Sequence, residues 1–212
     1  LMALPLVIIA LSIGFIIRSA FTKNKKPNVL KTSVLPIGIL LISGLSEQKL
    51  ANSQTEIISI STSISLPYSN MQVYETIKSV DTLDAEKPFL MQLDLPIPHK
   101  CILEDEKVGG IRTCYFEGGK IIEKVTALKK GKLLQMDVID YQLKGRKWLG
   151  FKEAIYTFEA INEYECKMTR ITTYTSKLHP RFYWAPSEKM GIEQEHEYVF
   201  SNLVQDLKRN CN

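Results

Sequence analysis

The sequence lacks the residue groupings that most metal and cofactor sites require. It has three histidines, which lie far apart in the chain, and four cysteines with no CxxC pair, so a zinc site is not expected. It also contains no glycine-rich phosphate loop and no serine-centred nucleophile elbow. We therefore expect no metal and no cofactor, and the sequence assigns no catalytic residue.

Acidic residues are absent from the first 45 positions, which contain five lysines and arginines. The whole chain has 27 basic residues and 23 acidic residues, so the remainder has 22 basic and 23 acidic. The basic excess therefore belongs to the N-terminal part alone. Because a nucleic-acid surface needs basic residues clustered on the folded domain, we expect no nucleic-acid partner.

The N-terminal part contains two uncharged apolar runs around a basic loop. Residues 1–17 are just long enough to cross the hydrocarbon layer as a helix. Residues 18–31 are the basic loop, and residues 32–45 are a shorter run interrupted by Pro36 and Gly38. We interpret residues 1–46 as a membrane segment with one or two hydrophobic helices, in contact with the bilayer through residues 1–45. A signal peptide is the alternative, but its positive charge would precede the apolar run.

The basic loop also predicts a membrane topology. Short loops rich in lysine and arginine stay on the cytoplasmic side, so the loop at residues 18–31 is placed there. If residues 32–45 span the bilayer, the remainder of the chain is extracytoplasmic, which is our expectation. If they only dip into the bilayer, the remainder is cytoplasmic.

Residues 47–55 are polar and are interpreted as a linker to a folded domain at residues 56–212. Apolar and hydroxyl side chains alternate from Ile58 to Leu66, which is typical of a half-buried strand. Ser69 and Gln72 match a capping box for a short helix, and a weaker helix is predicted near residues 88–93. Six further strands are predicted at residues 100–104, 110–117, 120–128, 133–143, 152–161 and 165–176.

A long amphipathic helix ends the domain. Ser187 is a suitable N-cap, and we predict that the helix begins there. Its apolar stripe consists of Ile192, His196, Val199, Phe200, Leu203, Val204 and Leu207. Because the preceding seventy residues offer only strands, the stripe must pack on an antiparallel sheet. The fold class is therefore α+β.

Several residues at particular places in this order of elements carry a resemblance to a known family. They are Ile64-x-Leu66-Pro67-Tyr68, Pro96-x-Pro98, the run GGIRTCYFEGG at residues 109–119, Glu123, Trp148, Tyr174 and Pro180-x-x-Tyr183-Trp184. The chain resembles the START-like superfamily, also called SRPBCC or polyketide cyclase/dehydrase-like. The resemblance implies a helix-grip fold, in which a curved sheet of about seven strands wraps around the C-terminal helix. It also implies a cavity for an apolar ligand between sheet and helix.

Nine residues are candidates for lining such a pocket. Glu123, Arg112 and Arg170 share predicted strand faces with apolar neighbours, so they either orient a ligand or form structural ion pairs. His196 is either a general base or a satisfied core histidine. The structural interpretation is favoured for all four. The full set is Arg112, Phe116, Glu123, Trp148, Arg170, Tyr174, Tyr183, Trp184 and His196.

The favoured function is a membrane-anchored domain that binds a hydrophobic small molecule or lipid. The alternatives are a cyclase- or hydrolase-type enzyme that uses polar residues of the same cavity, and a regulatory or structural membrane subunit.

Two cysteines are predicted to face each other across a hairpin. Cys101 and Cys114 are equidistant from the turn at Lys107 and Val108, so they are cross-strand partners if no bulge intervenes. The spacing suits a disulfide and equally two free core thiols.

Overall fold

The computed structural model of the chain describes Ile8 and residues 11–16, 55–92, 97–143, 148–179 and 181–210. The chain divides into two units, Leu1–Gln54 and Thr55–Asn212. Residues 11–16 are helical, and most of the predicted membrane segment and linker lies outside the described residues. Among the residues that the structure describes, no helix is both long enough and apolar enough to cross a bilayer.

The second unit is built on one seven-stranded antiparallel sheet. The order of strands across the sheet is β1-β7-β6-β5-β4-β3-β2. Neighbouring strands are therefore consecutive in the chain, except for β1 and β7. All seven strands predicted from the sequence are present. Their bounds are β1 Glu56–Leu66, β2 Pro98–Leu103, β3 Ile111–Phe116, β4 Gly119–Lys129, β5 Leu133–Tyr141, β6 Leu149–Asn162 and β7 Glu165–Ser176.

In the described residues of this unit, two helices and one 3-10 turn accompany the sheet. Helix α1 covers Asn70–Lys78, a 3-10 turn covers Phe89–Gln92, and helix α2 covers Arg181–Asn210. The predicted capping box is confirmed, because Ser69 Oγ accepts from the backbone N–H of Gln72 and the Gln72 side chain accepts from the N–H of Ser69. The weaker predicted helix is the 3-10 turn.

Helix α2 begins at Arg181, so the prediction that it starts at Ser187 is wrong. The sequence prediction treated Pro186 as a residue that precedes the helix, because proline removes a backbone donor. Here Pro186 lies inside the helix. Side-chain contacts hold this first part: Arg181 Nη1 donates to Glu188 Oε1, about two turns further on, and Trp184 Nε1 donates to the carbonyl of His179 at 3.0 Å.

The main hydrophobic core lies where the sheet meets α1 and the second half of α2. Tyr74, Leu134, Met168, Leu203 and Leu207 are almost completely buried there. A smaller apolar cluster lies nearer the start of α2 and joins Ile60, Tyr174 and Ile192. The first half of α2 therefore packs less densely on the sheet than the second half does.

Strands β2 and β3 are joined by a disulfide. Cys101 and Cys114 are cross-strand partners, which confirms the predicted pairing, and their Cα atoms are 4.1 Å apart. Both side chains are buried. The sequence left open whether they were bonded, and the structure has the bond.

Candidate functional site

A pocket of about 400 Å³ lies between β1 and the first half of α2. Its apolar lining comes from Ile58 and Ile60 of β1, Tyr174 of β7 and Ala185 of α2. Arg181, Lys189 and Glu193 of α2 supply the polar side chains, and Ser59 and Ser61 of β1 also border the pocket. The volume falls within the range of small-molecule sites, which is roughly 300–1,000 Å³.

The alternation of β1 explains why the pocket has an apolar floor. Successive side chains of a strand point to opposite faces, so Ile58 and Ile60 point toward α2. The neighbouring serines point to the other face, where Ser59 Oγ lies 2.9 Å from Thr173 Oγ1. Because Ala185 has a small side chain, the helix leaves space above the two isoleucines.

A polar cluster closes one end of the pocket around the buried carboxylate of Glu188. Ser176 Oγ donates to Glu188 Oε1 at 2.6 Å, and the Tyr174 hydroxyl donates to Oε2 at 3.3 Å. Arg181 reaches both carboxylate oxygens at 2.9 Å, and its Nε lies 2.6 Å from Glu56 Oε2. Such bidentate pairs are among the stronger charge-assisted contacts. The cluster fixes the start of α2 to the ends of β1 and β7.

Burial raises the pKa of Tyr174, and the nearby charge of Glu188 raises it further. The hydroxyl therefore stays protonated at neutral pH. It serves as a hydrogen-bond donor at the edge of the pocket, and its ring contributes apolar surface.

Arg112 and Glu123 form a buried ion pair away from this pocket. Arg112 Nη1 donates to Glu123 Oε2 at 2.9 Å, and the two side chains are 4% and 9% exposed. The same guanidinium donates to the carbonyls of Lys78 at 3.1 Å and Ile77 at 3.4 Å. These carbonyls end α1 and have no partner within the helix. The pair therefore anchors α1 to the sheet.

A second ion pair joins Arg170 of β7 to Glu195 of α2. Arg170 Nη2 donates to Glu195 Oε1 at 3.0 Å, and Nη1 lies 2.9 Å from Oε2. The guanidinium carbons of Arg170 and Arg112 lie 5.5 Å and 5.8 Å from the centre of the Tyr156 ring. A cation at that distance is attracted to the ring, so Tyr156 links the two ion pairs within the core.

His196 is completely buried between two threonine hydroxyls. Its Nδ1 lies 2.6 Å from Thr62 Oγ1 of β1, and its Nε2 lies 2.7 Å from Thr172 Oγ1 of β7. Burial lowers the pKa of His196 to about 2, and the charge of Arg170 contributes to the decrease. The ring is therefore neutral, with one nitrogen donating and the other accepting. It ties the middle of α2 to the sheet.

Comparisons with known proteins give a likeness in fold and none in sequence family. No protein-family model matches the chain, and no curated protein matches it. A START superfamily protein from Mycobacterium smegmatis has a TM-score of 0.50 and 11% identity, covering 71% of this chain and 97% of that chain. The chain has the START-like helix-grip fold.

Two further structures agree with this assignment. The Zhui aromatase/cyclase from Streptomyces sp. R1128 has a TM-score of 0.51 and 8% identity over 74% of this chain and 97% of its own. A protein of unknown function from Staphylococcus aureus has a TM-score of 0.52 and 13% identity over 76% of this chain and 99% of its own. Identities this low establish the START-like fold alone. The predicted long helix on a seven-stranded sheet is confirmed.

The START-like fold brings one of the nine candidate residues, Tyr174, to the pocket between β1 and α2. The other three aromatic candidates near that end lie outside its lining. Tyr183 and Trp184 pack edge to face with ring centres 4.8 Å apart, and Trp148 accepts a backbone hydrogen bond from Lys177 through its carbonyl. Phe116 ends β3 at the far side of the sheet.

Sequence reasoning missed Arg181 and Glu188. The predicted helix began at Ser187, so Arg181 lay outside it and Glu188 lay at its start. The seven-residue spacing between them then had no structural meaning. Once α2 begins at Arg181, that spacing puts both on one helix face. Within the described residues, no group of histidines, cysteines and carboxylates has the arrangement of a metal site.

Proposed function

We propose that this START-like domain binds an apolar small molecule or lipid in the pocket between β1 and the first half of α2. The observation that carries the proposal is the pocket of about 400 Å³ at this position, with Ile58, Ile60 and Tyr174 on its walls. Burying apolar ligand surface against these side chains would contribute roughly 25 cal/mol per Å².

The polar side of the pocket defines how a ligand would lie. The Tyr174 hydroxyl and the Arg181 guanidinium are both engaged with Glu188, so that end offers a pre-organised polar wall. The Lys189 side chain is more exposed than that of Arg181, and its Nζ lies 3.6 Å from Glu193 Oε1. An apolar body on the isoleucines, with its polar end toward Arg181 and Lys189, fits this distribution.

Binding is favoured over a cyclase- or hydrolase-type reaction because of where the polar residues lie. Glu123 is held by Arg112, and His196 is held by two threonines. Neither side chain is part of the pocket lining. A general base must come within hydrogen-bond reach of its substrate, and neither residue is placed to act on a ligand in this pocket.

Replacing Ile58 by tryptophan is expected to fill the pocket and to prevent ligand uptake. Tryptophan buries far more area than isoleucine, and the side chain at this position points into the space beneath Ala185. The measurement is labelling of the full chain by a photoreactive fatty acid, followed by peptide mapping. Labelling of β1 and of the first half of α2 should fall about tenfold, which is about 1.4 kcal/mol of affinity.

The matched control is Ile57→Trp. Ile57 is the neighbouring residue of β1, is 68% exposed and points to the opposite face. This variant should be labelled as strongly as the unmodified chain. Equal labelling of the two tryptophan variants would show that the fatty acid does not enter the pocket.

We also propose that residues 1–45 attach the domain to a membrane and that the domain is extracytoplasmic. The support is the uncharged sequence of residues 1–17, the basic loop at residues 18–31 and the Cys101–Cys114 disulfide. Disulfides persist in oxidising compartments and are rare in the cytosol.

A cysteine introduced at Ser53, in the predicted linker, is expected to react with a membrane-impermeant thiol reagent on intact cells. A background of Cys211→Ser removes one native thiol, while Cys166 is buried and the other two cysteines are bonded. The control is the same background without the new cysteine. Protection of the new thiol until the cells are lysed would place the domain in the cytoplasm.

A further inference from the structure

The two edges of the sheet differ in how far other segments cover their backbone hydrogen-bonding groups. Strand β2 forms one edge, and the segment after α1 covers it: Val80 and Cys101 exchange backbone hydrogen bonds of 2.7 Å and 2.8 Å. The Leu83 N–H donates to the carbonyl of His99 at 3.0 Å, and the Leu103 N–H donates to Ser79 Oγ at 2.9 Å. Strand β2 is also short and has an irregular register near Pro98. These are common ways of blocking an edge.

Strand β1 forms the other edge, and in the part of the chain that the structure describes it has none of these protections. It is 11 residues long, and its register with β7 is continuous from Glu56 to Leu66. No residue from 57 to 66 is charged, and none is proline. In an antiparallel pair, alternate residues direct their N–H and C=O groups away from the partner. Within the described ranges, no backbone hydrogen bond outside the β1–β7 ladder reaches this strand.

The pocket lies along this open edge. Four consecutive residues, 58–61, line it, so it is open to the strand edge and not only to the face under α2. Beside it, α2 presents Phe182, which is 84% exposed, and Met190, which is 50% exposed. Each follows a pocket residue, Arg181 or Lys189, by one position.

We propose that a second copy of this chain pairs its own β1 with this edge in antiparallel orientation, which forms a continuous sheet across a twofold axis. The paired strands would run side by side for about 36 Å, at about 3.3 Å per residue. Exposed, long and uncharged edges are templates for such pairing. A contact of one surface with itself is the commonest kind of oligomer interface.

The sequence of β1 suits a contact with itself. With the axis at Ser61, the central residue of β1, the facing side chains of the two copies are uncharged at every position except the ends. There, Glu56 of one copy faces Leu66 of the other. No like charges meet, and the alternating faces of the two copies stay in phase.

Pairing also closes the open side of the pocket. This consequence rests on the proposed function, whereas the pairing itself does not. The backbone of the second β1 would complete the wall opposite Tyr174, so that each pocket is bounded by both copies.

The test is a cysteine cross-link in the full chain, in a Cys211→Ser background. Ser61→Cys would place two thiols opposite each other, with Cβ atoms about 4.5–5.5 Å apart, close to the separation that a disulfide needs. Mild oxidation should give a covalent dimer. The matched control, Ser201→Cys, introduces a thiol at an exposed position of α2 and should stay largely monomeric. Light scattering should give twice the chain mass for the unmodified protein.

A monomeric mass for the unmodified chain would overturn the proposal, and so would cross-linking of Ser61→Cys no faster than that of Ser201→Cys. Fatty-acid labelling of the same samples separates the two ideas. Labelling of the pocket without a dimer rejects only the pairing. A cross-linked dimer without labelling rejects only the ligand.

Discussion

Replacing Arg112 by methionine is expected to lower the free energy of unfolding by about 3–5 kcal/mol, the usual cost of leaving one buried charge without its partner. Glu123 is buried, and its carboxylate would lose the partner of its ion pair. The carbonyls of Ile77 and Lys78 at the end of α1 would also lose their donors. The measurement is equilibrium unfolding followed by circular dichroism.

The double variant Arg112→Met with Glu123→Leu should recover most of the loss, because apolar replacement of a whole buried pair is often neutral or stabilising. The control is Arg209→Met, which removes an exposed contact of 3.3 Å with Asp84 and should cost under about 1 kcal/mol. A loss for Arg112→Met no larger than that of the control would show that the buried pair does not stabilise the domain.

The stability of the domain is expected to fall by about 2 kcal/mol between pH 7 and pH 5 through His196 alone. In the folded state, burial and then the charge of Arg170 lower the pKa of His196 to about 2 from its ordinary value of 6.5. The unfolded chain binds a proton below about pH 6.5, and the folded chain does not. The contribution of His196 to the free energy of unfolding is therefore complete above the unfolded pKa of 6.5. Below that pH it is lost at about 1.4 kcal/mol per pH unit.

The groups around the ring do not offset this loss. The nearest carboxylate is that of Glu195, 4.0 Å from Nε2, and it is already paired with Arg170. Protonation would also deprive one threonine of a hydrogen-bond acceptor.

Replacing His196 by glutamine isolates the effect of this ring. Glutamine has a donor and an acceptor for Thr62 and Thr172 but does not titrate. The variant should be less stable at neutral pH, and its unfolding free energy should depend less steeply on pH between 7 and 5. If both proteins lose stability with the same slope, the folded state does not exclude the proton from His196.

The regular parts of the fold were accessible from the sequence because their patterns are local. The bounds of β7 were predicted as observed, since alternating side chains follow a turn at Asn162 and Glu163. The pairing of Cys101 with Cys114 followed from counting outward from one hairpin turn. Whether the sulfurs were bonded did not follow, because bonded and free thiols fit the same cross-strand position.

The site was less accessible because its contacts join distant parts of the chain. Tyr174 was among the predicted pocket residues, but its partner Glu188 lies 14 residues further on and in another element. The start of α2 was missed because Pro186 usually ends or precedes a helix. The first part of α2 is held by a contact between Arg181 and Glu56, which lies more than a hundred residues earlier in the chain. Local patterns contain no information about such contacts.

Mass spectrometry of the apolar molecules that co-purify with the full chain tests the proposed function most directly. The unmodified protein and Ile57→Trp should retain the same lipid or apolar small molecule after identical purification, and Ile58→Trp should have lost most of it. Because all three share residues 1–45, lipid held by that segment cancels in the comparison. Equal amounts of the same molecules in all three samples would contradict a ligand site between β1 and α2.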